Sequence, residues 1–473
     1  MGILLDRLTE YSQSDFYPYH MPGHKRNPAG AIPEDWTNRD ITEIEGFDNL
    51  HDAQGILKDL QEKAAAAYGA EESFYLVNGS TSGILSAISA AVPFGGELLI
   101  ARNCHKSVYH AAYLRQLKLH YIYPDVLEEY DICEAVSAEQ VAEALEAYPG
   151  VAAVLIVSPT YEGRIADVKA IAEVVHEKGL PLIVDEAHGA HLGFSPEFAI
   201  NSARLGADIV INSVHKTLPA MTQTALLHVN GELVDRQALK RFLKIYQTSS
   251  PSYVLMSSIE EAVEIAAEGS VFEEFTALWQ RLLTELSDLR KLKILPKDFE
   301  ECRRNKQDIG KLIISTKETE LSGPQLYDML LSEYHLQPEM VCESYVLCMF
   351  TIGDTEEGYD RLAKALLAID RQIQGARKPG FCKIQSPEMV VPFYAAWDRE
   401  QEKVPLKEAA GRLAGEFLNL YPPGTPILVP GERITGETID FLEKCISEGL
   451  TVQGISEEGN IRVIPKENVY EKN

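Results

Sequence analysis

Paired cysteines, a long apolar run and a surplus of basic charge are all missing from this sequence. Its seven cysteines are Cys104, Cys133, Cys302, Cys342, Cys348, Cys382 and Cys445. The number is odd and no Cys-x-x-Cys occurs, which argues against a disulfide framework and a structural zinc site. The purest apolar stretch is VAAVLIV at 151–157. That suits a buried strand and falls far short of the roughly 20 residues of a membrane helix. The opening MGILLDRLTEYSQSD carries acids where a secretory signal has a basic start. Gly2 is followed by Asp6 where a myristoylation site has Ser or Thr. Lysine and arginine number 44 against 71 acids, a net charge of −27. Such a chain is poorly suited to nucleic acid or an anionic membrane. It is compatible with cationic partners, although acidity for solubility needs no ligand. No repeat or low-complexity tract is present. A soluble, cytoplasmic protein is expected.

What is present is ordinary globular material, 45% hydrophobic and 24% charged over 473 residues. That is enough for two or three domains without disulfide staples. From about residue 52, short β-rich runs alternate with helical stretches. SFYLV (73–77), ELLIA (97–101), HYIY (120–123), VAAVLIV (151–157), PLIVD (181–185), ADIVINS and TALLHV read as strands. Helices are expected over GILKDLQEKAAAAYGA, 84–92, the stretch after His105, AEQVAEALEA and ADVKAIAEVVHEKG. The alternation predicts an α/β fold, a largely parallel sheet with helices on both faces. Residues 259–292 are strongly helical and are expected to connect two domains. Beyond about 295 the pattern is α+β. The expected layout is an N-terminal segment (1–50), a large domain (51–292) and a C-terminal α+β domain (293–473).

Ligands in such sheets sit at the C-terminal strand ends, and polar clusters fall there. Ser213-Val214-His215-Lys216 follows one strand; Asp185 ends another, 31 residues upstream of Lys216. Most lysines are surface lysines. A lysine able to form a Schiff base and an acid for a pyridinium are, however, the minimal equipment for pyridoxal phosphate. Asn78-Gly79-Ser80-Thr81-Ser82-Gly83 lies between a strand and a helix. It reads equally as an anion site on free amides and as a plain N-cap. It is neither a P-loop nor a dinucleotide fingerprint. His105 opens the next helix, where it either stacks on a cofactor ring or faces solvent. The pairs His20/His24 and His188/His191 lack the His-Glu-x-x-His spacing, so no metal site is expected. YPPGTPILVPGE reads on its own as a rigid loop, and on that reading alone an exposed Glu432 is unremarkable.

With these segments together, the chain resembles the Orn/Lys/Arg decarboxylase family of fold type I pyridoxal-phosphate enzymes. The resemblance runs through HMPGHK, FDNLHDAQGILKDLQEKAAAAYGA, VNGSTSG, ARNCHKSVYHA, SPTYEG, VDEAHGAH, SVHKTL, TSSPSY and YPPGTPILVPGE. It implies a mainly parallel seven-stranded large domain with a smaller C-terminal domain. It implies Lys216 as the Schiff-base lysine, Asp185 as the pyridinium partner and His105 as the ring-stacking residue. Ser80, Thr81, Ser82, Ser213 and His215 hold the phosphate, and Lys216 or His215 returns a proton to Cα. Ser249 or Ser250 reaches the phosphate of a neighbouring subunit, and Glu432 receives the distal cation of substrate. The role of His188 is left open. The chain begins almost at HMPGHK, so it resembles the short form without the N-terminal wing domain. A homodimer or dimer of dimers is implied, with a basic amino acid as substrate and a diamine or agmatine as product. The competing readings are an aminotransferase, lyase or racemase, with Arg433 holding a carboxylate, and a non-catalytic protein on the same fold.

Overall fold

The computed structural model describes residues 2–14, 22, 37–376, 386–420 and 425–466. Of the segments singled out above, HMPGHK apart from Pro22, Cys382, Pro422 and Pro423 lie outside the described residues. The chain divides into two compact units. Unit 1 comprises Met1–Ala91, Val168–Glu274 and Thr351–Gly353; unit 2 comprises Val92–Asp167, Phe275–Phe350 and Asp354–Asn473.

Seven strands belong to one sheet. They are β1 (Glu72–Leu76), β2 (Glu97–Ala101), β3 (Lys118–Ile122), β4 (Val151–Val157), β5 (Leu182–Asp185), β6 (Ile209–Asn212) and β7 (Ala225–Val229). Within unit 1 the neighbours run β1-β7-β6-β5; within unit 2 they run β4-β2-β3. The β5–β6, β2–β3 and β2–β4 pairs are parallel, whereas β7 is antiparallel to β1 and β6. The sheet is therefore mixed and mostly parallel, as expected. Every residue of β5, β6 and β7 is buried, the signature of strands covered on both faces.

The helices that position the site are α1 (Ile3–Ser12), α2 (Ile56–Tyr68), α3 (Gly79–Ala91), α4 (Lys106–Arg115), α5 (Ala138–Ala147), α6 (Val168–Glu177), α7 (Val214–Thr217), α8 (Arg236–Tyr246), α9 (Tyr253–Glu268) and α10 (Val271–Leu286). On α2, Leu57, Leu60, Ala64 and Tyr68 recur at helical spacing and share a core with Tyr75 and with Tyr253, Met256 and Ile259 of α9. The helical region expected over 259–292 is two helices, parted where Gly269 takes φ +74°. One expectation changes: the segment read as a turn before residue 84 is the first turn of α3, where the Gly79 amide is anchored to the Gln223 carbonyl at 2.9 Å.

Among the described residues unit 2 also carries four small antiparallel sheets. One pairs Lys311–Ser315 with Lys293–Leu295 and Tyr345–Met349. A two-stranded one pairs Val126–Leu127 with Ile132–Cys133. The other two contribute to a core that includes Leu406, Leu428, Ile434, Leu442 and Val463. No helix among the described residues is long and apolar enough to cross a membrane.

Candidate active site

In unit 1 the C-terminal ends of β5 and β6 lie side by side, with Asp185 paired in register with Ile211. Asp185 is 4% exposed and its Oδ1 accepts the Ala187 amide at 3.1 Å. Burial pushes its carboxyl above the ordinary range, while the charge of Lys216 and the Ala187 amide pull it back. Lys216 is half-buried on α7, the single turn that follows β6. Its Nζ lies 3.0 Å from His188 Nε2. The sequence therefore places an acid and a lysine at adjacent strand ends, and the structure brings them within electrostatic reach.

The turn that carries Lys216 is tied to the start of α3 through one segment. The Thr224 carbonyl accepts from the Val214 amide at 3.1 Å and from His215 Nδ1 at 2.8 Å, and the neighbouring Gln223 carbonyl accepts the Gly79 amide. Burial lowers the His215 pKa; the Thr224 carbonyl opposes this and Lys216 adds to it. Gly79 takes φ +71°, and the space where a side chain would project is open. Ser80 is half-buried and Thr81 exposed, whereas Ser82 is buried with its hydroxyl donating to the Gly79 carbonyl at 2.8 Å. Ser213 is fully buried, and its Oγ has no hydrogen-bond partner. A buried hydroxyl left unpaired is costly. An unpaired hydroxyl, an open helix start and a buried acid beside a lysine fit an anionic cofactor with a cationic ring.

Ser249 and Ser250 are exposed. Their neighbour Thr248 donates its amide to Asn78 Oδ1 at 3.1 Å, and its carbonyl accepts from His51 Nε2 at 2.7 Å. The FDNLHD block thus braces the TSSPSY segment. Asp48 in that block accepts the amides of Asn49, Gln54, Gly55 and Leu57, which fixes the start of α2.

Two expected site residues lie in unit 2. His105 is exposed and caps α4, its Nδ1 accepting the Ser107 amide at 3.2 Å. Glu432, the acid that the resemblance assigns to the distal cation of substrate, is 0% exposed, which rules out the plainer reading of an exposed loop residue. Its carboxylate receives Arg102 Nη2 at 3.1 and 3.3 Å and the Val429 amide at 2.7 Å. Burial raises its pKa to about 7, against the pull of Arg102. Arg433 is engaged by Glu388 at 2.9 Å.

Sequence reasoning missed Arg102 and passed over Glu186. Arg102 directly follows the apolar β2, three residues before His105 in the segment ARNCHKSVYHA, so a charged residue ending a buried strand was the available signal. Glu186 is 1% exposed and receives the amide and hydroxyl of Ser202 and Nδ2 of Asn212. Burial raises its pKa to about 7, opposed by these bonds. Nothing in the sequence distinguishes it from the acid beside it. Among the described residues no group of His, Cys, Asp or Glu is arranged to hold a metal ion.

Comparison with known proteins shows the family. The model of the Orn/Lys/Arg decarboxylase major domain matches residues 3–308, and that of the family's C-terminal domain matches 382–458. The chain belongs to the Orn/Lys/Arg decarboxylase family. It is 34% identical to an arginine decarboxylase of Bacillus subtilis (strain 168), over 92% of either chain. It is 31% identical to an arginine decarboxylase of Bacillus anthracis, over 95% of this chain and 94% of that one. Among solved structures, the Escherichia coli constitutive lysine decarboxylase superposes with a TM-score of 0.82 at 21% identity, covering 98% of this chain and 82% of that one. Family membership makes the protein an amino acid decarboxylase acting on basic substrates.

Proposed function

We propose that the protein decarboxylates arginine, lysine or ornithine, with arginine or lysine preferred, using pyridoxal 5'-phosphate held in unit 1. The observation that carries this reading is the Asp185–Lys216 pair at adjacent strand ends, beside the unpaired Ser213 hydroxyl. The names of the Bacillus relatives support arginine.

Bound there, the cofactor supplies an electron sink for the bond to the departing carboxylate. Lys216 would hold it covalently through Nζ. Asp185 would keep the ring nitrogen protonated, and a cation at that point relieves the cost of a buried carboxylate. Ser80, Thr81, Ser213 and His215 would hold the phosphate. Ser82 would offer its backbone N–H, since its hydroxyl already donates to Gly79. His105 would lie against the ring. The reaction releases CO₂ and takes up one proton at Cα, for which Lys216 or His215 is the donor.

The remaining assignments belong to the same proposal. Ser249 or Ser250 would serve a neighbouring subunit of a homodimer or dimer of dimers, and their exposure leaves them available. Glu432 would meet the distal cation of substrate only by giving up Arg102. An N-terminal segment over 1–50, a large domain over 51–292 and a C-terminal domain over 293–473 belong to the same proposal; what supports it is that separate family models match 3–308 and 382–458, with other bounds. A cytoplasmic location completes the reading and is open to fractionation.

The test is direct. Purified protein should take up pyridoxal phosphate, gain visible absorption and release amine and CO₂ from a basic amino acid. Lys216→Ala should lose the absorption and the turnover. A folded wild-type protein that neither binds the cofactor nor turns over arginine, lysine or ornithine refutes the proposal.

A further inference from the structure

His188 stands three residues beyond Asp185, is 6% exposed, and meets Lys216 Nζ at 3.0 Å. The loop that presents it is pinned at several points. The Ala187 amide donates to Asp185, and the Gly189 amide to the Glu186 carbonyl at 2.8 Å. Tyr68 donates its hydroxyl to the Ala190 carbonyl at 2.6 Å, and the Glu186 carboxyl is held by Ser202 and Asn212. A side chain on so constrained a loop meets its partner with little loss of conformational freedom.

An ammonium has three donors and no lone pair. When Lys216 is charged, the contact therefore requires an unprotonated Nε2 on His188. When His188 is charged, it requires a neutral lysine. One proton serves both arrangements, and its transfer needs no movement of either side chain. Lys216 has use for both states, since an amine must be neutral to act as a nucleophile and charged to act as an acid.

We propose that His188 is the proton partner of Lys216. It accepts the proton when the amine must be nucleophilic and returns it when the amine must be an acid. In the first direction the N–H bond at Nζ breaks, its electron pair stays on Nζ, and an N–H bond forms at Nε2. The second direction is the reverse. This rests on the pyridoxal-phosphate decarboxylase reading. The charged and titratable groups around the pair are Asp185 and His215, both coupled to Lys216, and Glu186 and His191 of the same loop. Glu186 is turned to Ser202 and Asn212, and the His191 ring packs edge-on to Phe198.

The experiment compares wild type with His188→Gln, His188→Asn and His188→Phe. Each protein is purified as holoenzyme, stripped of pyridoxal phosphate, and followed by visible absorption as the cofactor is restored across a range of pH. The pH profile of kcat is measured alongside. Glutamine can accept a hydrogen bond from Lys216 but cannot carry its proton. All three variants should take up the cofactor more slowly, by roughly 10²-fold at neutral pH, and the pH dependence of uptake should move to higher pH. Should His188→Phe fail to fold, the glutamine and asparagine variants decide. If His188→Gln matches wild type in uptake rate and in both pH profiles, the inference is overturned alone. A slow His188→Phe beside a normal His188→Gln also overturns it, leaving only a hydrogen-bonding role. A wild-type protein that takes up no pyridoxal phosphate overturns the underlying reading as well.

Discussion

In unit 2, Arg102 and Glu432 direct their hydrogen bonds at each other and at the surrounding backbone; in unit 1, Asp185 and Lys216 are paired more loosely. Besides Glu432, the Arg102 guanidinium donates to Tyr109 Oη at 2.9 Å and to the carbonyls of Pro426 and Ile427 at 2.9 and 3.2 Å. Both residues are buried. Asp185 has the Ala187 amide and the charge of a lysine that remains half-buried, beside a hydroxyl without a partner. Both regions contain a buried acid and a cation, so charge alone does not mark a site. What separates them is how far the acid is satisfied: Glu432 receives three hydrogen bonds, two of them from its cation, whereas Asp185 receives one, from a backbone amide, even though Arg102 Nε also lacks a partner. A closed pair holds a loop in place, whereas an incomplete one has capacity for a ligand.

Substitutions can break this contrast. The largest effect is expected from Lys216→Ala, which should lower turnover by at least about 10²–10⁴-fold and leave the melting temperature near wild type. Calorimetry showing a large loss of stability would make Lys216 structural and erase the distinction. Glu432→Ala should do the opposite, costing about 3–5 kcal/mol in denaturant unfolding by stranding a buried arginine. The double variant Arg102→Leu/Glu432→Leu should recover part of that loss. Glu432→Gln should also raise KM for arginine strongly, because the proposed role toward the distal cation needs the charge; an unchanged KM would leave the pair structural alone. Asp185→Asn should weaken cofactor binding and lower turnover by roughly 10²-fold, with stability at neutral pH equal or higher, because a desolvated acid is removed.

The smallest effect concerns pH. His228 is buried on β7 against Ser73, with Nε2 unpaired, and burial lowers its pKa to about 3. Between the ordinary value of 6.5 and about 3, the unfolded chain binds a proton that the folded chain refuses. The stability contributed by the neutral ring is fully present above 6.5 and is lost as pH falls through that window. The slope approaches about 1.4 kcal/mol per pH unit for this one group. His228→Asn should reduce the slope in urea unfolding between about pH 6 and about pH 4, inside that window. An unchanged slope would assign the acid sensitivity elsewhere.

The frame was legible because the strands are continuous apolar runs ended by polar residues. VAAVLIV is β4 residue for residue, and PLIVD and TALLHV overlap β5 and β7 closely. Asp185 and Lys216 could be paired from sequence because both fall at strand ends, where the order of a parallel sheet brings distant residues together. The position of Glu432 could not be read that way. Proline content predicts stiffness but not which way a side chain turns, and the partner is an arginine 330 positions away. The 3.0 Å approach of His188 to Lys216 was hidden for the same reason, since loop conformation sets it and spacing does not.

The short connection between α7 and β7 carries one more consequence. Gln223 sits at φ +88°, a region non-glycine residues seldom adopt. Its carbonyl anchors Gly79, while Thr224 next to it anchors the turn of Lys216. Two halves of the proposed cofactor pocket therefore share a single fastener. A change there is felt at both, and a second change at Gly79 finds the fastener already loosened. Mutational effects at 79, 215 and 223 should accordingly fail to add. A natural variant at one of these positions is then readable only with the other two in view.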